Sequence, residues 1–365
     1  MRALPDYPWD SLAPFAERAR EHPGGIVDLS VGSPVDATPE LVRRALADAT
    51  DAHAYPQTIG TPDLRRAIIE WFARRRNVHG LEDRHVLPSI GSKEFVALLP
   101  LFLGLGPGDV VVHPRAAYPT YAIGAAIAGA DALASDDPSE RPAATRLVWL
   151  NSPANPDGRV LDVEQLRAAR LRAKELGAAI VNDECYAELG WEGRWASEPI
   201  PSILDDRVIE GDRRNVLAIY SLSKQSNMAG YRAAFAAGCA GLIERITTPR
   251  KHAGLMVPAP LQHAMAIALS DDDHVAEQRE RYRTRRDLLK PALESAGFRI
   301  DRSEGGLYLW ATAGEDAWES VARLAELGIL VGPGTFYGPF FPQHVRVALT
   351  APDERVEAAV RRLAR

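Results

Sequence analysis

The chain has 365 residues, 46% hydrophobic and 25% charged, with a formal net charge of −6 at pH 7. That length exceeds what one hydrophobic core usually serves, so two domains are expected, and the composition is ordinary globular composition. The acidic balance, with arginines interspersed among acids, argues against a nucleic-acid surface. No apolar run reaches the length of a membrane span and residues 1–6 lack a leader's apolar segment, so a cytoplasmic protein is expected. The two cysteines, Cys185 and Cys239, lie far apart and give no disulfide framework; both read as small buried residues. The nine histidines show no ligand spacing, so no metal site is expected.

Near the N-terminus a helix-like piece over residues 9–20 and an extended piece over 26–30 lead into the turn Val31-Gly32-Ser33-Pro34. Thr38-Pro39-Glu40 carries a helix-start signature, with Thr38 as N-cap and Pro39 at the first helical position. A Tyr-Pro loop at Tyr55 then leads into an amphipathic helix whose Leu64, Ile68, Trp71 and Phe72 share one face. From residue 85 to about 240 short apolar runs alternate with helical ones, the pattern of a mainly parallel sheet covered by helices. Strands are expected over residues 86–90, 110–113, 147–150, 179–182, 216–220 and 233–237. Ligands of such sheets gather beyond the carboxyl ends of the strands, and the distinctive residues stand there.

Ile90-Gly91-Ser92-Lys93 opens a helix whose free amides and dipole suit a phosphate. Gly104-Leu105-Gly106-Pro107-Gly108-Asp109 looks like a dinucleotide fingerprint, but it ends in Asp and precedes a strand, so it is a turn. Tyr118 follows the next strand, and a flat aromatic ring there serves either packing or stacking on a planar ligand. The run Asn151-Ser152-Pro153-Ala154-Asn155-Pro156-Asp157-Gly158 is a turn in which Asp157 is suited to cap the helix that follows. The next strand ends in Asp183, with Tyr186 three residues on.

Lys224 stands just past another apolar strand, among Ser221, Ser223 and Ser226, with Arg232 downstream. Burial and nearby cations ease the loss of its proton, which suits covalent attachment of an aldehyde cofactor. Ser221 and Arg232 suit a phosphate. Beyond residue 245 the alternation stops. A charged helix is expected over residues 271–293, with Glu277 and Arg281 as a favourable pair, then strand-like pieces over 305–310 and 345–349. Arg346 alternates within the last piece; pointing inward it needs an anionic partner, pointing outward it is solvated.

The order Asn155, Asp183, Tyr186, Lys224, Arg232, Arg346 resembles the fold-type I pyridoxal-phosphate-dependent aminotransferases over nearly the whole chain. The resemblance implies an α/β fold, with a large domain built on a mainly parallel sheet flanked by helices plus a smaller α+β domain. Residues 1–44 and 246–365 would form the small domain and residues 45–245 the large, cofactor-binding one. It implies that Lys224 carries pyridoxal 5'-phosphate and that Asp183 faces its ring nitrogen, which keeps that nitrogen protonated. Asn155 and Tyr186 would bond its phenolic oxygen, and Tyr118 would stack on its ring. Ser92, Lys93, Ser221 and Arg232 would hold its phosphate, helped by Tyr55 of a neighbouring subunit, which makes a homodimer with shared sites the expected assembly. Gly32, Asn155 and Arg346 would hold the substrate, with Arg346 gripping its α-carboxylate. Asp157 departs from the threonine usual in the family's Asn-Pro-Thr-Gly turn.

Ser221-Leu222-Ser223-Lys224-Gln225-Ser226-Asn227-Met228-Ala229-Gly230-Tyr231-Arg232 is most similar to the actinobacterial N-succinyldiaminopimelate aminotransferases, a lysine-biosynthesis subgroup that uses glutamate as donor. Dicarboxylic substrates call for a second cation in the pocket, with Arg115 and Lys93 among the candidates. Another 2-oxoglutarate-dependent aminotransferase, or a carbon–sulfur lyase sharing every cofactor residue, are the alternative readings.

Overall fold

The computed structural model describes Leu4 and residues 8–364. Of residues 1–6, expected to hold no leader segment, only Leu4 falls among those described. The first short strand, β1 (Val27–Asp28), is followed by seven that build one sheet. These are β2 (Val86–Ile90), β3 (Val110–His113), β4 (Asp131–Ala134), β5 (Thr145–Asn151), β6 (Ala179–Asp183), β7 (Val216–Ser221) and β8 (Ala233–Gly238). Their spatial order is β2-β8-β7-β6-β5-β3-β4, parallel except for β8, which runs against both its neighbours.

Helices cover both faces, so β6, β7 and β8 are buried along their whole length. On one face Leu64, Ile68, Trp71 and Phe72 of the Pro62–Arg76 helix pack with Leu166, Leu261 and Met265 against Val148, Ile180 and Phe235. On the other, Phe95, Leu99, Tyr121 and Ile246 meet Val111, Trp149, Val181 and Ile219. The Pro62–Arg76 helix starts where Thr61 accepts the Leu64 N–H at 3.2 Å and stops at Asn77, whose φ of 51° is left-handed.

A smaller antiparallel sheet of order β12-β13-β10-β9 comprises β9 (Arg299–Asp301), β10 (Tyr308–Thr312), β12 (Gly332–Pro333) and β13 (His344–Ala348). Beside it β11 (Ile329–Leu330) pairs with β1 in parallel. The core under these strands takes residues from the Asp273–Ser295, Ala317–Glu326 and Asp353–Leu363 helices and also takes in Cys185 and Tyr186. The Glu40–Asp48 and Ala259–Leu269 helices bury Val42, Ala45, Leu261 and Met265 in the core of the large sheet.

Three local expectations are corrected. Thr38 caps no helix: its hydroxyl donates to the Asn227 carbonyl at 3.0 Å, and the Glu40–Asp48 helix follows Pro39 without a side-chain cap. Asp157 caps none either, because its carboxylate is buried and ion-paired with Arg302. Asp162 caps the Val163–Glu175 helix instead, accepting from Gln165 N at 2.9 Å while the Gln165 side chain returns the bond. Arg281 turns to Gln278 Oε1 at 3.5 Å and makes no ion pair with Glu277. Strands β4 and β9 went unread, being short and carrying exposed or half-buried residues in place of an apolar run.

The segment entering the site is tied down by Asp36, which accepts from Arg285 Nη1 and Nη2 at 2.8 and 2.6 Å and from Gln278 at 2.8 Å. Arg285 is buried, and stripping one partner from a buried pair leaves an uncompensated charge. Asp36→Ala should therefore destabilise the fold by about 3 kcal/mol, read as a lower urea midpoint. An unchanged midpoint would show that Asp353, which also accepts from Arg285 at 2.7 Å, suffices alone.

Candidate active site

The carboxyl ends of β2, β5, β6 and β7 open onto a cavity of about 420 Å³. Of the residues expected at a site, Gly32, Ser92, Lys93, Tyr118, Asn155 and Asp183 line it. So do Tyr186, Ser221, Lys224, Arg232 and Arg346, which arrives from the small sheet on β13. Tyr55 does not: it is 96% exposed. Of the two cations considered for a distal carboxylate, Lys93 lines the cavity, whereas Arg115 pairs with Glu140 outside it.

Ser221 ends β7, and its hydroxyl accepts the Ser223 N–H at 3.1 Å, which turns the chain into the short Leu222–Gln225 helix carrying Lys224. The Lys224 amine reaches across to the Gly32 carbonyl. Burial lowers its pKa; Tyr308 and Cys185 oppose that, while Arg346 and Arg232 add to it. A neutral amine is the form that attacks a carbonyl carbon.

Asp183 ends β6 and is buried, accepting from the Tyr121 hydroxyl at 3.0 Å and Cys185 N at 3.2 Å. Burial raises its pKa against those bonds and one from the Cys185 thiol, and none of the donors is a cation. Such a carboxylate is complementary to a protonated ring nitrogen. Asn151 holds the next turn: its Nδ2 donates to Pro153 O and Asp183 O at 3.1 and 2.8 Å, and its Oδ1 accepts from Asn155 N at 2.7 Å.

Gly91 opens the Gly91–Phe102 helix at a φ of 73°, and a Cβ there would collide with the Arg232 guanidinium. That close approach sets Arg232 beside the first turn of the helix at Ser92 and Lys93, a donor set suited to a phosphate. Arg346 is buried, donating to Asn155 Oδ1 at 2.9 Å and Ser30 O at 2.7 Å, while its Nε has no partner. Its guanidinium lies 3.9 Å from the Tyr308 ring centroid.

Trp9, Tyr121, Asn151 and Tyr308 also line the cavity, and the sequence reading gave them no role. The Tyr308 and Tyr186 hydroxyls lie 3.2 Å apart. Burial pushes the Tyr308 phenol up, but Arg346, Lys224 and the bond with Tyr186 outweigh it and hold it below the usual value. A signal for Tyr308 existed: it alternates with Trp310, the cross-strand partner of Arg346. Cys185, read as a bland buried residue, is buried in the cavity wall. Among the described residues no cluster of potential ligands could hold a metal ion, and no helix is long and apolar enough to cross a membrane.

The aldehyde-ready lysine, the acceptor for a ring cation and the phosphate donors fit pyridoxal phosphate, within a fold-type I architecture. The model of the class I and II aminotransferase family matches residues 25–363, and the chain belongs to that family, whose members depend on pyridoxal phosphate. It is 53% identical to the 4-dedimethylamino-4-oxo-anhydrotetracycline transaminase OxyQ of Streptomyces rimosus, over 100% of both chains. It is 52% identical to a probable aminotransferase of Mycobacterium tuberculosis, over 99% of this chain and 85% of that one. Among solved structures it resembles a probable N-succinyldiaminopimelate aminotransferase of Thermus thermophilus, with a TM-score of 0.87 and 29% identity over 98% of this chain and 99% of that one.

Arg346 and Lys224 repel each other as cations, which depresses the lysine. Arg346→Gln removes that repulsion, so the Lys224 pKa should rise. Labelling of the cofactor-free protein by an amine reagent, mapped to Lys224 across pH, should show its half-maximal rate moved to higher pH. A profile unchanged or moved downward would mean that the two charges do not feel each other.

Proposed function

We propose that the protein transfers an amino group between an amino acid and a 2-oxo acid, with N-succinyl-LL-2,6-diaminopimelate and 2-oxoglutarate as its pair in lysine biosynthesis. The observation that carries the amino-acid reading is Arg346, a buried guanidinium without an acid partner among the described residues, lining the same cavity as Lys224. A substrate α-carboxylate supplies the missing charge bidentately. The likeness to the Thermus structure supports the diaminopimelate derivative, and Lys93 is the cation offered to its distal carboxylate.

In this reading Lys224 would hold the cofactor covalently and, with substrate bound, its Nζ would take the α-proton. Bound there, pyridoxal phosphate supplies an electron sink for the charge left on the α-carbon. Asp183 would hold the ring nitrogen, Asn155 and Tyr186 would orient the phenolic oxygen, and Tyr118 would pack on the ring. Ser92, Lys93, Ser221 and Arg232 would bind the phosphate, and Gly32 leaves the room beside Tyr308 that a Cβ would fill.

A second reading is favoured by the 53% identity to OxyQ: amination of a ketone on a fused-ring acceptor, with an amino acid still as donor. Single half-reactions separate the two. Cofactor absorbance is followed while glutamate, N-succinyldiaminopimelate and other amino acids are added one at a time, with products analysed. Conversion with both glutamate and the succinyl compound is expected. Response to glutamate alone sinks the diaminopimelate reading and leaves the ketone one, while released pyruvate and ammonia would mean a carbon–sulfur lyase.

Tyr55 stands fully exposed on a loop before the large sheet, and we assign it to the phosphate site of a two-fold partner. Lys224→Ala and Tyr55→Asp, each inactive alone, are mixed and allowed to exchange subunits. Both lesions fall in one site of a mixed dimer, leaving its other site intact. Random exchange makes about half the dimers mixed, so activity should return to roughly a quarter of wild type. No recovery despite exchange confirmed by mass would place Tyr55 in its own subunit.

A further inference from the structure

A buried arginine without an acid is costly, and this chain pairs most of its buried arginines. Arg65, Arg76, Arg170, Arg250, Arg285 and Arg286 are each more than nine-tenths buried and each ion-paired with a carboxylate. Arg362 bonds the Leu327 and Gly328 carbonyls. The other two buried arginines have no such ion pair among the described residues. One is Arg346, in the site above.

The other is Arg141, 4% exposed, in the connection between β4 and β5. Its Nη1 donates to Ala169 O at 3.3 Å, and its Nε has no partner. The exposed Asp137 acts on it only through space, and a second guanidinium, Arg172, repels it. Arg141 lines a cavity of about 270 Å³ beyond the carboxyl ends of β3, β4 and β5, closed by the Val163–Glu175 helix. Of the two carboxylates in its wall, Asp157 is neutralised by Arg302 and Asp136 lies exposed, accepting Arg115 N–H at 3.1 Å. Arg159, Gln165 and Arg302 are shared with a groove on the outer side, which Arg194, Asp162 and Glu304 also line. An entering ligand therefore meets three guanidinium groups against two carboxylates, with Arg302 already paired to Asp157.

We propose that this cavity is a second anion site, which takes the carboxylate or phosphate group of a small metabolite on the Arg141 guanidinium. The volume lies just below the range typical of drug-sized ligands, which restricts the occupant to a small molecule. Asn151 lines both this cavity and the one holding Lys224. An occupant therefore shares a cavity wall with the residue whose side chain holds both Asn155 N and the Asp183 carbonyl.

The test is thermal unfolding of the cofactor-loaded protein with rising inorganic phosphate or acetate, at ionic strength held constant with chloride. A ligand of the native state raises the midpoint by mass action. Wild type should show a saturable rise, with the cofactor absorbance unchanged. In Arg141→Met the response should need at least tenfold more anion, and Arg141→Lys should recover part of it. A stronger phosphate response identifies a phosphorylated ligand, and a stronger acetate response a carboxylic one. Without anion, Arg141→Met should be at least as stable as wild type, because an unpaired buried cation has gone. A destabilised Arg141→Met marks the residue as structural and overturns the proposal. Equal anion responses in wild type and the Arg141→Met and Arg141→Lys variants, or none in wild type, overturn it as well.

Discussion

One cavity holds Lys224, Arg346, Arg232 and Lys93 against a single carboxylate, Asp183, among the described residues that line it. Arg346 is buried in it and the Lys224 amine nearly so, while Lys93 and Arg232 are exposed, and a buried cation is relieved only where it has an accessible neutral form. Arginine has none in the working range, so the relief falls on Lys224. Burial, with a smaller push from Arg346 and Arg232, thus frees the lysine amine for chemistry, and the same burial leaves Arg346 demanding an anion.

Such a cavity collapses or fills with water unless its walls are held from several directions. A buried polar chain does part of this. Asn227, left-handed at a φ of 50°, donates to Gln278 Oε1 at 2.8 Å, Gln278 donates to Asp36, and Asp36 accepts from Arg285. That chain joins the loop after Lys224, the segment after Gly32 and the long Asp273–Ser295 helix. Thr38 adds its bond to the Asn227 carbonyl, which is a better use of its hydroxyl than capping a short surface helix. The antiparallel β8 also matters, since its start places Arg232 back beside the end of β2.

The large sheet was legible because its central strands are buried on both faces and so read as unbroken apolar runs. The short edge strand β4, with its Asp131 and half-buried alanine, offered no such run. Lys224 and Asp183 were visible since each ends an apolar strand, where a charge is unexpected without a purpose. Asp157 was misread because a turn aspartate before a helix looks like a cap, and its partner Arg302 lies in a distant part of the chain. Tyr308 showed only its alternation with Trp310, and Arg141 was illegible, because what sets each apart is the register or cavity around it. An arginine in a loop reads as solvated until its burial is known.

The two halves of the cavity wall do different work. The polar half, from the strand ends and β13, contains the groups that the transfer of an amino group needs. The rest is apolar, with Trp9, Val31, Ala97, Ile123 and Ala229. Groups of the first kind respond to charge that every amino acid and 2-oxo acid carries, so they cannot tell one substrate from another. Discrimination has to come from the apolar half and from Lys93, an exposed cation of the lining. A hydrophobic wall separates ligands by only about 1–3 kcal/mol per methylene, whereas an unmet charge is rejected far more strongly. On the proposed reading the choice falls between a distal carboxylate meeting Lys93 and a fused ring meeting the apolar wall. That contest lies at a handful of side chains while the chemistry beneath stays fixed.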